Sequence, residues 1–191
     1  MVANREITID FTSAIDLTML KETILFICKE GHNDPALGAV KLNKLLYYAD
    51  FKAFRALGES ITGATYQNLQ EGPAPKEFLA AKEELIDDKA IRYEERPYFT
   101  RTQKRMIGCR EPQMSLFTPG EIEIIMGVIE TFREYNATDI SALSHLEWGW
   151  KLTETGEEIH YRTAWLSPDP LTQEQIGLGI KLWKELNAQS V

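Results

Sequence analysis

The sequence predicts an α+β fold dominated by helices: six or seven of them, with a small antiparallel β-hairpin inserted in the middle. Three observations carry this. Apolar residues recur at helical spacing through most of the chain. Capping residues, Gly and Pro separate those segments cleanly. One central stretch, 90–109, instead reads as two short strand-like runs around Arg96-Pro97. No repeat or low-complexity linker breaks the 191 residues, so 1–15 reads as an N-terminal extension and 16–191 as one domain. Hydrophobic residues make up 43% and charged residues 26%, which excludes a disordered or collagen-like chain.

The elements follow in order. Leu17, Leu20, Ile24, Ile27 and Cys28 share one face of a helix over 16–30, with Ser13 or Asp16 as cap and Gly31 as stop. Asp34-Pro35 is expected to open a second helix that runs to Leu57 and ends at Gly58. On a helical wheel Lys41, Lys44, Lys52, Arg55 and Tyr48 form one stripe, read as the solvated face. The opposite side carries Ala39, Leu46, Phe54 and Leu57, with Asn43 and Asp50 among them. A buried polar side chain without a partner costs on the order of 1–3 kcal/mol. Asn43 and Asp50 are therefore either hydrogen-bonded to a loop packed over the helix or part of a ligand or partner site.

Residues 59–72 read as extended with a turn at Gly63, and Gly72-Pro73-Ala74-Pro75 as a rigid loop. A third helix is expected over 76–88, then the hairpin. Thr118-Pro119-Gly120-Glu121 is a capping box that opens a helix carrying Ile122, Ile125, Ile129, Phe132 and Tyr135. Thr138-Asp139 starts a short helix, 150–161 is expected to be helical, and Thr172 opens a last helix to Ala188.

Charge is unevenly placed. Of a net −8, nearly all resides in 118–191, which argues against nucleic-acid binding. Between Arg92 and Arg110 six bases face two acids, a patch read either as a solvated strand face or as a contact surface. The apolar runs are too short to span a membrane, and MVANREITIDF lacks the apolar core of a secretory signal. Two cysteines, Cys28 and Cys109, make no disulfide framework, so a reducing cytoplasm is the expected setting.

Catalytic spacing is absent: no phosphate-binding loop, nucleophile elbow, zinc-protease helix or paired-cysteine motif occurs. His32, His145 and His160 lie far apart. His145 either packs on Trp148 or Trp150 with a ring nitrogen bonded to a carbonyl, works with Glu147 as an acid/base pair, or meets a partner. Neither catalysis nor a cofactor or metal is expected.

The block Lys41-Leu42-Asn43-Lys44-Leu45-Leu46-Tyr47-Tyr48-Ala49-Asp50, followed by Gly63, Tyr66 and Gly72-Pro73, resembles the Panacea domain of SocA-like and GepA-like antitoxins of bacteria and their phages. His145 after Ser144, with Trp150, is similar to that family's late signature, and Trp148 departs from it. The resemblance extends over residues 18–165. It implies an antitoxin of a two-gene system that neutralises a toxin encoded nearby by direct contact. A further implied role is that of an adaptor, either delivering the toxin to a protease such as a Clp-type unfoldase or serving a phage or mobile element. The residues that vary with the toxin are then expected outside the motif. The candidates are the hairpin with Arg92, Arg101 and Arg105, the stripe with Lys52 and Arg55, and the last helix with Glu174 and Glu185.

Overall fold

A computed structural model describes residues 15–98 and 101–166. The helix expected over 172–188, with Glu174 and Glu185, lies outside the described residues, as does nearly all of the N-terminal extension.

Helix α1 spans Leu17–Glu30. Asp16 caps it, its carboxylate accepting from the amides of Thr18 and Met19 at 2.9 and 3.1 Å. Its core face holds Leu20, Ile24, Ile27 and Cys28, and burial pushes the Cys28 thiol up to about 12. A short 3-10 turn, Gly31–Asn33, follows.

Helix α2 spans Ala39–Leu57, so it begins later than the expected Pro35. Asp34 does not cap it. The Asp34 carboxylate accepts from the Ala36 amide at 2.8 Å and pairs with Lys41, which folds 34–37 into a turn. The stop at Gly58 is as expected, in the left-handed region at φ 87°.

α2 is the central helix of the fold. It packs against α1, against α4 (Pro119–Thr131) and α5 (Ala137–Ser144), and against strand and turn segments on its remaining side. The expected solvated stripe is therefore split. Lys52 and Arg55 are exposed, whereas Lys41 and Lys44 are 0% and 1% exposed because α4, α5 and the 71–75 segment enclose that half of the helix. Conversely Ala39 and Leu57, at the two ends of the supposed apolar side, lie in solvent.

Strands β1 (Tyr66–Gln67) and β2 (Ala74–Pro75) pair antiparallel, so the Gly72-Pro73 corner is the turn of a miniature sheet. Helix α3 covers Phe78–Asp87 and buries Phe78, Ala81 and Leu85. The central hairpin is present as β3 (Ile91–Tyr98) and β4 (Arg101–Gly108). Arg96 and Pro97 lie within β3, opposite Gln103 and Thr102, a position Pro tolerates in a two-stranded ribbon. The Thr118 capping box opens α4 as expected, with Glu121 accepting from the Thr118 amide at 2.7 Å. Ile125, Val128, Ile129 and Phe132 carry its core face.

The helix expected over 150–161 does not form. Helix α6 is one turn, Trp148–Lys151. The Asn68 amide donates to the carbonyls of Trp150 and Thr153 at 2.9 and 2.8 Å, which takes the acceptors a continuing helix would use. The chain then turns at Gly156 (φ 90°), and Ile159 donates to the Tyr66 carbonyl at 2.8 Å, laying the segment beside β1. A 3-10 turn, Tyr161–Trp165, closes the described fold.

Gly72 sits where β1–β2, α2 and α5 converge, at φ 90°, and an added methyl would strike the Ser144 hydroxyl and the Lys44 side chain. Gly58, at φ 87°, faces open space. Gly58→Ala is expected to cost about 1 kcal/mol from backbone strain alone, and Gly72→Ala at least about 2 kcal/mol because overpacking adds to the same strain. Urea denaturation of both variants checks this, and equal losses would refute the packing account.

Candidate functional site

Three polar side chains of α2 reach three different segments of the chain. The Lys41 ammonium pairs with Asp34 and donates to the carbonyls of Arg133 and Tyr135, fastening the start of α2 to the α4–α5 connection. Lys44 donates to the Pro73 carbonyl at 2.9 Å. Burial lowers the Lys44 ammonium to about 8, with Glu71 opposing the shift.

Asp50 is the third. Its Oδ1 accepts from the Thr62 amide at 2.9 Å, and its Oδ2 accepts from the Thr62 hydroxyl at 2.5 Å and the Tyr66 hydroxyl at 2.8 Å. The Tyr161 hydroxyl lies 3.5 Å from the same oxygen and donates to the Ala64 carbonyl at 2.7 Å. Burial pushes the Asp50 carboxyl above its ordinary range, and the donors from Thr62 and Tyr66 pull it back.

Of the two readings of Asp50, the loop anchor is the one realised, but the loop is 60–66 and not Gly72-Pro73. The Gly72-Pro73 corner is held by Lys44 instead. Asn43 is half-buried, and its Oδ1 has no hydrogen-bond partner among the described residues. Gly63 supplies the turn within the anchored loop, at φ 66°. Leu42, Leu45, Tyr47 and Tyr66 are core residues.

His145 stacks on Trp150 with ring centroids 4.1 Å apart, and the Trp150 indole donates to the Leu69 carbonyl at 3.3 Å. The expected carbonyl bond is not made by His145 Nε2, which is buried and unpaired among the described residues. Trp148 takes no part in the stack and lies under the Lys151 ammonium. No group of three or more His, Cys, Asp or Glu side chains able to hold a metal occurs among the described residues.

The hairpin is a poorer contact surface than its charge suggests. Arg105 is 2% exposed and donates to the His32 carbonyl at 3.0 Å, so it is a structural residue. A long aliphatic stem lets an arginine cross a strand face and spend its charge on backbone acceptors. Arg92 and Arg96 both face Glu94, and Arg110 pairs with the buried Glu22. The side chain of Arg101 lies outside the described residues.

A groove of about 560 Å³ opens beside the exposed end of α2. Tyr47, Tyr48 and Phe51 line it with Lys52, Arg55, Glu147, Thr163 and Ala164. Burial raises the Glu147 carboxyl, against the pull of Arg55 and Lys151. Of these residues the sequence singled out Tyr47 and Tyr48 in the motif block, Lys52 and Arg55 as a surface, and Glu147 only as an acid/base partner for His145. Thr163 and Ala164 were hidden because 150–161 reads as helix and the turn after it has no periodic signature.

The model for the antitoxin SocA-like, Panacea domain family matches residues 42–151, more than half of the chain. The chain belongs to the SocA-like Panacea-domain family. The match is narrower than the expected 18–165, and it leaves Tyr161 outside. No curated protein and no solved structure matches the chain. Membership gives this Panacea protein an antitoxin role in general terms, and a toxin as its kind of partner. No helix among the described residues is long and apolar enough to cross a membrane.

The Lys44 shift has a pH consequence. In the fold the amine releases its proton near 8, whereas the unfolded chain holds it up to 10.5, so Lys44 makes stability rise with pH through that window. The full span corresponds to on the order of 3 kcal/mol. The melting temperature of the wild type minus that of Lys44→Met is expected to increase from pH 7 to pH 10. Thermal melts of both proteins check this, and a flat difference would contradict it. Cys28 and the buried tyrosines titrate alike in both proteins and cancel.

Proposed function

We propose that this protein is the antitoxin of a two-gene system and neutralises a toxin encoded nearby by direct contact, without catalysis, cofactor or nucleic acid. Family membership supports the antitoxin role. The observation that carries the mode of action is the inward engagement of the motif. Lys41, Lys44 and Asp50 all bond within the chain, so these three polar residues of the block hold the fold, while Asn43 Oδ1 has no partner among the described residues. Partner contact then falls to the exposed residues around the motif, where substitutions change affinity without unfolding the domain. The acidic 118–191 region accords with a protein partner better than with nucleic acid. His145, stacked on Trp150, acts in this reading as a packing residue.

Growth rescue tests the proposal. Each adjacent open reading frame is expressed from an inducible promoter with and without this protein. One frame is expected to arrest growth, this protein to restore it, and the two products to co-purify while toxin levels stay constant. A toxin level that falls in the presence of this protein, and only with an intact Clp-type protease, would replace sequestration by delivery for degradation. Absence of rescue by this protein would remove the antitoxin proposal.

A further inference from the structure

We infer that the groove beside the exposed end of α2 receives an acidic, ring-bearing segment of the toxin. The inference rests on the toxin-binding reading above and assigns its contact.

Lys52 and Arg55 lie one turn apart on α2 and both border the groove. Neither forms an ion pair with a described residue, whereas Arg92, Arg96, Lys104, Arg110 and Arg133 each face a carboxylate of their own chain. In a chain of net charge −8, two cations without a close ion pair beside an aromatic hollow form a local site for a carboxylate-bearing ligand.

The walls are aromatic and fixed. Tyr48 stacks on Phe132 at 4.5 Å between centroids, and Phe51 lies against Tyr161 at 4.9 Å. Rings locked in this way lose little freedom when an incoming side chain packs on them. The volume, about 560 Å³, suits an anchor of a few side chains and not a whole interface. Glu147, on the same groove, is attracted to Arg55 and partly offsets its charge, so it competes with a ligand carboxylate for that cation.

The test uses the full chain and the adjacent-frame product that arrests growth. Lys52→Glu with Arg55→Glu is expected to keep the wild-type melting temperature within a few degrees, since both side chains are exposed. It should lose growth rescue and weaken binding by about tenfold or more. Suppressors selected in the toxin should replace an acidic residue by Lys or Arg. Glu147→Gln should act in the opposite direction and tighten binding, a result that general damage would not give. Wild-type affinity and rescue in the double variant, or Glu147→Gln weakening binding to the same degree, would overturn the inference and leave the antitoxin reading intact. Failure of the wild type itself to rescue growth would remove both.

Discussion

The fold depends on one buried carboxylate. Asp50 sits on the central helix with 1% exposure, where an isolated charge would be prohibitively desolvated. It is tolerated because Thr62 and Tyr66 direct donors at it and Tyr161 stands beside it. Thr62 and Tyr66 belong to the 60–66 loop where it enters β1, and Tyr161 to the closing 3-10 turn, so one side chain ties two regions far apart in sequence to the central helix. The groove inherits this arrangement, since Phe51 is in ring contact with both Tyr66 and Tyr161.

Lys41 and Lys44 serve α2 in the same manner toward its other neighbours. Each is a cation whose stem packs in the interior and whose head is consumed by acceptors, a carboxylate and two carbonyls for Lys41 and one carbonyl for Lys44. The cations two turns further on, Lys52 and Arg55, have no such acceptors and reach solvent. A single helix thus holds the scaffold at one end and presents charge at the other. That division suits a domain whose motif maintains a shape while its exposed residues meet the partner.

Much of this was legible in the residues, and what was hidden was hidden for physical reasons. Local signals read correctly: Asp16, the Thr118 capping box and Gly58 act within a few residues of themselves and need no tertiary partner. The resemblance located the family, and the odd placement of Asp50 on an apolar face marked it as either a loop anchor or part of a site. The start of α2 was misplaced because Asp34 has two uses for its carboxylate, and the ion pair with Lys41 won over capping. Lys41, Lys44 and Arg105 read as solvated because a helical wheel or strand pattern records polarity and not what packs on top. The 150–161 segment kept its helical look, yet Asn68, more than eighty residues earlier, captured its carbonyls. The groove left least trace, since its walls come from α2, Glu147 and the 3-10 turn together.

The central claim is that the buried Lys41, Lys44 and Asp50 of the motif hold the fold and do not themselves touch the toxin. Asp50→Asn keeps the shape of the side chain and removes its charge, so it tests the claim directly when stability and toxin affinity are measured on the same preparation. The account predicts a loss of stability on the order of 1–3 kcal/mol, with affinity unchanged at temperatures where the variant remains folded. Loss of affinity at unchanged stability would contradict it and place Asp50 in the interface.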